Sequence, residues 1–199
     1  AEEQIPTELQ DPNFGWKIHE VDEHLGAAVV GLGSDARILI DQARIYSQIN
    51  RLTYDEPIDV EAVAKRIGDL KQLYTQHAGV RPFGVSIIFG GMDKTGNKMF
   101  VTDPSGSYRA YRCVALGYGR EAAEATLNKE YHENMKLNEA IKLAVKCLAK
   151  AIEAPEKKLA VKVAIISSET KKFRMLTAEE VENYMRQATR MGRGSKRQK

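Results

Sequence analysis

This chain of 199 residues has no apolar run of membrane-spanning length, no internal repeats and only two cysteines. The missing spanning run, with an acidic, polar start unlike a secretory leader, points to a cytoplasmic protein without a membrane partner. Two cysteines are too few to staple a fold. Cys113 lies in a strand pattern and Cys147 in a helix pattern, each among apolar neighbours, so buried reduced thiols are expected. His19, His24, His77 and His132 have no ligand-like spacing and there is no Cys-x-x-Cys, which leaves no basis for a metal site. These histidines are expected at the surface or in interfaces, and no cofactor is expected. The net charge of +3 is small and unevenly spread. Residues 190–199 carry five basic side chains and no acid, and read as a solvated, flexible end. The remainder is slightly acidic, so the body has no nucleic-acid footprint.

An apolar fraction of 43% and a charged fraction of 29% suit one substantial core. Residues 1–15 lack periodicity and read as an irregular lead-in. Trp16–Val21 and Leu25–Val30 predict two strands joined by Asp22-Glu23-His24. Ser34 is placed to cap a helix running to about Arg51. Asp59 is placed to cap a second, along which Val60, Val63, Ile67, Leu70 and Tyr74 recur at helical spacing. Val85–Phe89 is a continuous apolar run, suited to a strand buried on both faces.

The densest punctuation lies between Val80 and Arg120. Arg81-Pro82-Phe83-Gly84 bends the chain into the Val85 strand. Asp103-Pro104-Ser105-Gly106 has the residues of a type I turn, with strands on either side at Lys98–Val101 and Tyr108–Val114. Gly117-Tyr118-Gly119 then turns a corner into a helix presenting Ala122, Ala123, Leu127 and Tyr131. A further helix begins near Asn138 and presents Ile141, Val145, Leu148 and Ile152. A hairpin at Leu159–Ile166 and Lys172–Leu176 follows, and Thr177 with Glu180 forms a capping box for a last helix. The order is ββ–αα–βββ–αα–ββ–α. Paired helices alternating with hairpin-linked strands predict an α+β fold of antiparallel sheets, not a βαβ series.

Several blocks share one resemblance: Asp22–Ala28, Gly31–Arg37, Asn50–Asp55, Tyr74-Thr75-Gln76, Arg81–Ser86 and Asp103–Gly106. From Trp16 to Met185 the chain resembles α subunits of the proteasome core particle, of archaeal type, in the N-terminal nucleophile hydrolase superfamily. The resemblance implies a four-layer αββα sandwich, with residues 16–189 as a single domain between the lead-in and the basic tail. Family members also have a gating tail, a short helix and a strand pair before the point where this chain starts. Residues 1–15 do not match that region, so the expected sandwich is short of its first helix and strand pair, and its ring would stand open.

Function follows from the resemblance as a further expectation. It implies a non-catalytic subunit of the outer seven-membered ring that controls substrate entry to protein degradation. Its partners would be other α subunits, proteasome β subunits and the C-terminal tails of regulatory ATPases or activators. It also implies that helix 34–51 faces the β ring, and that the peptidase sites of the complex lie on β subunits. At the position of Lys17, family members place a lysine that receives an activator's C-terminal carboxylate, in a pocket between neighbouring subunits. Gly31 and Leu32 match residues lining that pocket: one allows close backbone approach, the other supplies an apolar wall. The physical chemistry is a charge-assisted bond from ammonium to a chain-terminal carboxylate.

Two other chemistries compete. Catalytic relatives use an N-terminal Thr whose amine serves as base, whereas this chain begins with Ala1. A self-processed hydrolase would need an internal junction such as Gly33-Ser34, which is better read as a helix start. Gly117-Tyr118-Gly119-Arg120-Glu121-Ala122 fits the dinucleotide fingerprint formally, but the helix it opens leads to another helix. It reads as a packing corner.

Overall fold

The computed structural model describes residues 1–4, 9, 17–152 and 159–194. In chain order the elements are β1 (Glu2–Gln4), β2 (Ile18–Asp22), β3 (Leu25–Gly31), α1 (Gly33–Tyr54) and α2 (Val60–Tyr74). Then come β4 (Val85–Asp93), β5 (Gly96–Thr102), β6 (Tyr108–Ala110), α3 (Arg120–Glu130) and α4 (Leu137–Ala151). The last are β7 (Leu159–Val161), β8 (Ala164–Ile166), β9 (Phe173–Met175) and α5 (Ala178–Gly194). The chain divides into two compact units, one of Asn13–Arg112 and Ala164–Arg174, the other of Ala1–Pro12, Cys113–Val163 and Met175–Lys199.

The first unit carries a five-stranded antiparallel sheet in the order β2-β3-β4-β5-β6. Helices α1 and α2 pack on it, burying Leu39, Ile40, Ala43, Val60, Val63 and Ile67 against Leu25, Val85, Ile87 and Phe89. Alternation along β4 differs from the expected strand buried on both faces: Val85, Ile87 and Phe89 are buried while Ser86 and Ile88 are half-buried. The turn after β5 forms as its residues dictate. Gly106 N–H donates to Asp103 O at 3.1 Å, and Asp103 Oδ1 accepts from the Ser105 amide and hydroxyl at 2.8 and 2.6 Å. Gly106 has φ +89° and lies against the backbone of Gly68 in α2.

Both helix starts differ in detail from expectation. The N-cap of α1 is Leu32, not Ser34, because Leu32 O already accepts from Ala36 N–H at 3.0 Å. Asp59 is the N-cap of α2, but its side chain makes no capping bond. Asp93, at the end of β4, supplies it instead, accepting from Val60 N–H at 3.2 Å.

In the second unit α4 lies between α3 and α5. Leu143 and Cys147 pack on Ala123 and Leu127 of α3, which explains why α4 buries more than the single expected stripe. On α3 Ala123 and Thr126 are buried, whereas Ala122 is exposed. Gly119, with φ +76°, sits where a Cβ would lie 2.7 Å from Ala151 O, so the glycine corner is a close helix–helix approach. Thr177 and Glu180 form the expected capping box, with reciprocal bonds of 2.8 and 3.2 Å.

Four expected boundaries move. The strand expected at Tyr108–Val114 ends at Ala110, so Cys113 lies beyond it and is only half-buried. The lead-in contains β1, which pairs antiparallel with β7, and its residues 5–8 and 10–15 lie outside the described ones, as does Trp16. The run expected as one strand at Leu159–Ile166 is two, β7 and β8, and β8 pairs with β9. Helix α5 runs to Gly194, into the segment expected to be flexible, while 195–199 lie outside the described residues.

Candidate functional site

Lys17, Gly31 and Leu32 come together at one end of the β2–β3 pair. Lys17 O accepts from Val29 N–H at 2.9 Å, which sets Lys17 beside β3 two residues before Gly31. The Lys17 residue is exposed, and Leu32 is 50% exposed. Gly31 has φ +128°, and a Cβ there would collide with Gly84 O. Only glycine lets the end of β3 pass so close to the segment before β4.

A second layer holds this corner. Leu32 N–H donates to Gly84 O at 2.9 Å, and Gly84 N–H donates to Asp35 Oδ2 at 2.8 Å. Arg81 grips the same carboxylate with both terminal nitrogens, each at 2.7 Å. The Asp35 side chain is buried while Arg81's is largely exposed. The Leu32 side chain rests over Gly84, where a Cβ would lie 2.8 Å from Leu32 Cδ1. The two blocks Gly31–Arg37 and Arg81–Ser86 are therefore one local structure.

The Arg81 guanidinium holds the Asp35 carboxyl at about 2, with burial working against it and the Gly84 amide adding to it. A carboxyl depressed in the folded state stabilises above its unfolded value, about 3.9, and that stabilisation is lost as pH falls toward the folded value. Asp35→Asn is expected to flatten the acid limb of the stability curve between about pH 4 and pH 2. Thermal melts across that range measure it, and an unchanged limb would refute it.

Another polar cluster lies at the opposite end of β2. Asp22 and His24 are both buried, so His24 is not the surface histidine expected. The His24 ring Nε2 lies 2.7 Å from Ile58 O, and Asp22 Oδ1 accepts from Arg51 Nη2 at 2.9 Å. His24 Nδ1 and Asp22 Oδ2 face each other at 3.6 Å, and neither atom has a hydrogen-bond partner. An open cleft of about 480 Å³ adjoins, lined by Glu20, Val21, Asp22, Glu23, Arg44, Gln48 and Arg51. Arg44 Nε donates to Glu20 O at 2.9 Å, so α1 covers an outward carbonyl of this edge strand.

Sequence reasoning missed a third buried group. Lys71 is fully buried, its Nζ donating to Val85 O at 3.0 Å, Thr102 O at 3.2 Å and Thr102 Oγ1 at 2.8 Å. Its place on the stripe, four residues after Ile67, was the available signal.

The alternative chemistries find little geometry. Ser34 lies in the first turn of α1, so Gly33-Ser34 is part of a helix. Burial pushes both cysteine thiols up, which suits packing rather than nucleophilic attack. Among the described residues no group of three or more His, Cys, Asp or Glu is arranged to hold a metal ion. No helix there is long and apolar enough to cross a membrane.

Comparison with known proteins gives one consistent result. The family model described as "Proteasome subunit" matches residues 1–166. The protein named "Proteasome subunit alpha" in Methanothermobacter thermautotrophicus is 45% identical over 179 residues, covering 90% of this chain and 72% of that protein. Its namesake in Methanosarcina acetivorans is 42% identical over 195 residues, covering 98% and 79%. That in Pyrococcus horikoshii is 44% identical over 185 residues, covering 93% and 70%.

Proposed function

The chain belongs to the proteasome subunit family, and from that premise we propose that its β3–α1 corner receives the C-terminal tail of an activator. It is an alpha-type subunit with the family's α+β fold of antiparallel sheets, serving in the outer ring as a structural component of protein degradation. The peptidase sites of the assembled particle lie on β subunits, and the particle works in the cytoplasm. The observation that carries the docking reading is the grouping of Lys17, Gly31 and Leu32 around an exposed corner. A lysine, an exposed apolar side chain and a side-chain-free backbone on adjoining segments suit a peptide end: one negative charge, apolar side chains and main-chain bonding groups.

A second surface supports assembly. Ile38, Ile45, Ile49 and Leu52 recur at helical spacing along α1, and each is about half exposed or more. A stripe of this kind is covered in a working assembly. The β ring is its occupant in this reading, as expected for helix 34–51. Native mass spectrometry of the chain with its β subunits should give rings, and a strictly monomeric species at high concentration would remove the reading. In the assembled particle Lys17→Ala is expected to abolish stimulation of peptide hydrolysis by an activator-tail peptide. Unchanged stimulation would take Lys17 out of the site.

A further inference from the structure

We propose that the Asp35–Arg81 ion pair is the positioning element of the tail-docking corner, setting the Leu32 wall through Gly84. The inference rests on the docking reading above and adds to it the part that makes the site rigid. The connection is continuous. Arg81 holds both oxygens of Asp35, Asp35 holds the Gly84 amide, and the Gly84 carbonyl holds the Leu32 amide. The Leu32 side chain then lies directly over Gly84.

Two features set this pair apart from an ordinary surface bridge. An exposed ion pair contributes little to stability, because water screens it and both side chains must be ordered. Here the carboxylate is buried, with 7% of its side chain exposed, and both oxygens are engaged by one planar fork. A fork fixes direction as well as distance, which a point charge does not. Loss of Arg81 leaves the buried carboxylate with the Gly84 amide and the Ser34 hydroxyl, both neutral donors, and favours its turning toward water. The Gly84 segment would follow, and Leu32 would lose both its backbone anchor and the surface beneath its side chain. Neither Asp35 nor Arg81 need touch the tail.

The test uses core particles assembled from the full chain and its β subunits. The probe is a fluorescent peptide with apolar residues before a free C-terminal carboxylate, and an amidated copy is the control. Arg81→Ala is expected to weaken binding about tenfold, and Arg81→Lys to recover part of that loss. In a Leu32→Ala background the same Arg81→Ala change is expected to cost less than about twofold, because the wall it positions is gone. Its effect on melting temperature should be equal in both backgrounds, which separates positioning from general stabilisation. If the amidated peptide binds as well as the free acid, or Lys17→Ala binds normally, the docking reading itself fails. If binding depends on the carboxylate and Lys17 but Arg81→Ala leaves Kd within twofold, only the positioning role falls. An equal loss in both Leu32 backgrounds overturns it too. Should Arg81→Ala fail to assemble, Asp35→Asn in the same two backgrounds decides by the same criterion.

Discussion

Gly106→Ala is expected to lower folding stability by about 4 kcal/mol, against about 1 kcal/mol for Gly96→Ala. Both glycines have positive φ, +89° and +107°, so alanine meets a comparable backbone penalty at either position. They differ in what surrounds them. A Cβ at Gly96 has nothing within 4 Å, whereas at Gly106 it would lie 2.5 Å from Gly68 O and 2.6 Å from Gln72 N. Those are backbone atoms of α2, and a helix backbone cannot turn aside as a side-chain tip can. Relief therefore means lifting the Asp103–Gly106 turn off the helix, which would disturb the contact of α2 with the end of β5. Urea denaturation of the two variants against the parent measures the difference. Equal losses would show that backbone conformation alone accounts for both glycines.

The same turn shows how much sequence can carry. Asp103, Pro104 and Gly106 fix a local geometry through bonds between near neighbours, and the capping box at Thr177 and Glu180 does the same. Such features are legible because their partners are only a few residues away. The anchoring of Leu32 was not, since its amide is held by Gly84, far along the chain. Capping of α2 by Asp93 rather than Asp59 is a similar case: the spacing marked the helix start, but the acceptor came from a distant strand.

The candidate site divides along the same line. Lys17, Gly31 and Leu32 could be named from family resemblance, residue by residue. The bond from Arg81 to Asp35 crosses 46 positions, and no periodicity links them. His24 was misplaced for a related reason: its burial depends on Ile58 O and on Asp22, which Arg51 holds from the far end of α1. Lys71 is the most instructive miss. Helical spacing puts it on the buried stripe with Val60, Val63 and Ile67, but its charge argues for solvent. What reverses that argument is a set of oxygen acceptors at the ends of β4 and β5, and only the folded sheet brings them together.

Lys71 should also give the protein an unusual alkaline response. Burial lowers its ammonium from the ordinary lysine range to about 8, with Asp103 opposing the shift. In the unfolded chain the same amine titrates near 10.4. Between those values the unfolded state binds more protons than the folded state, so this group makes stability rise with pH. The difference between those two values corresponds to about 3 kcal/mol across that window. Lys71→Met keeps most of the volume and removes the titration. At pH 7 two effects of the substitution oppose each other: a desolvated charge disappears, but Val85 O and the two Thr102 oxygens lose their donor. By pH 10.5 the parent's amine is neutral and still donates, so the first effect vanishes while the second persists. The stability difference between parent and variant is therefore expected to move by about 3 kcal/mol in the parent's favour from pH 7 to pH 10.5. Paired urea titrations at the two pH values measure it, with other alkaline titrations cancelling between the proteins. A difference that stays constant would mean that Lys71 does not change protonation in the folded chain.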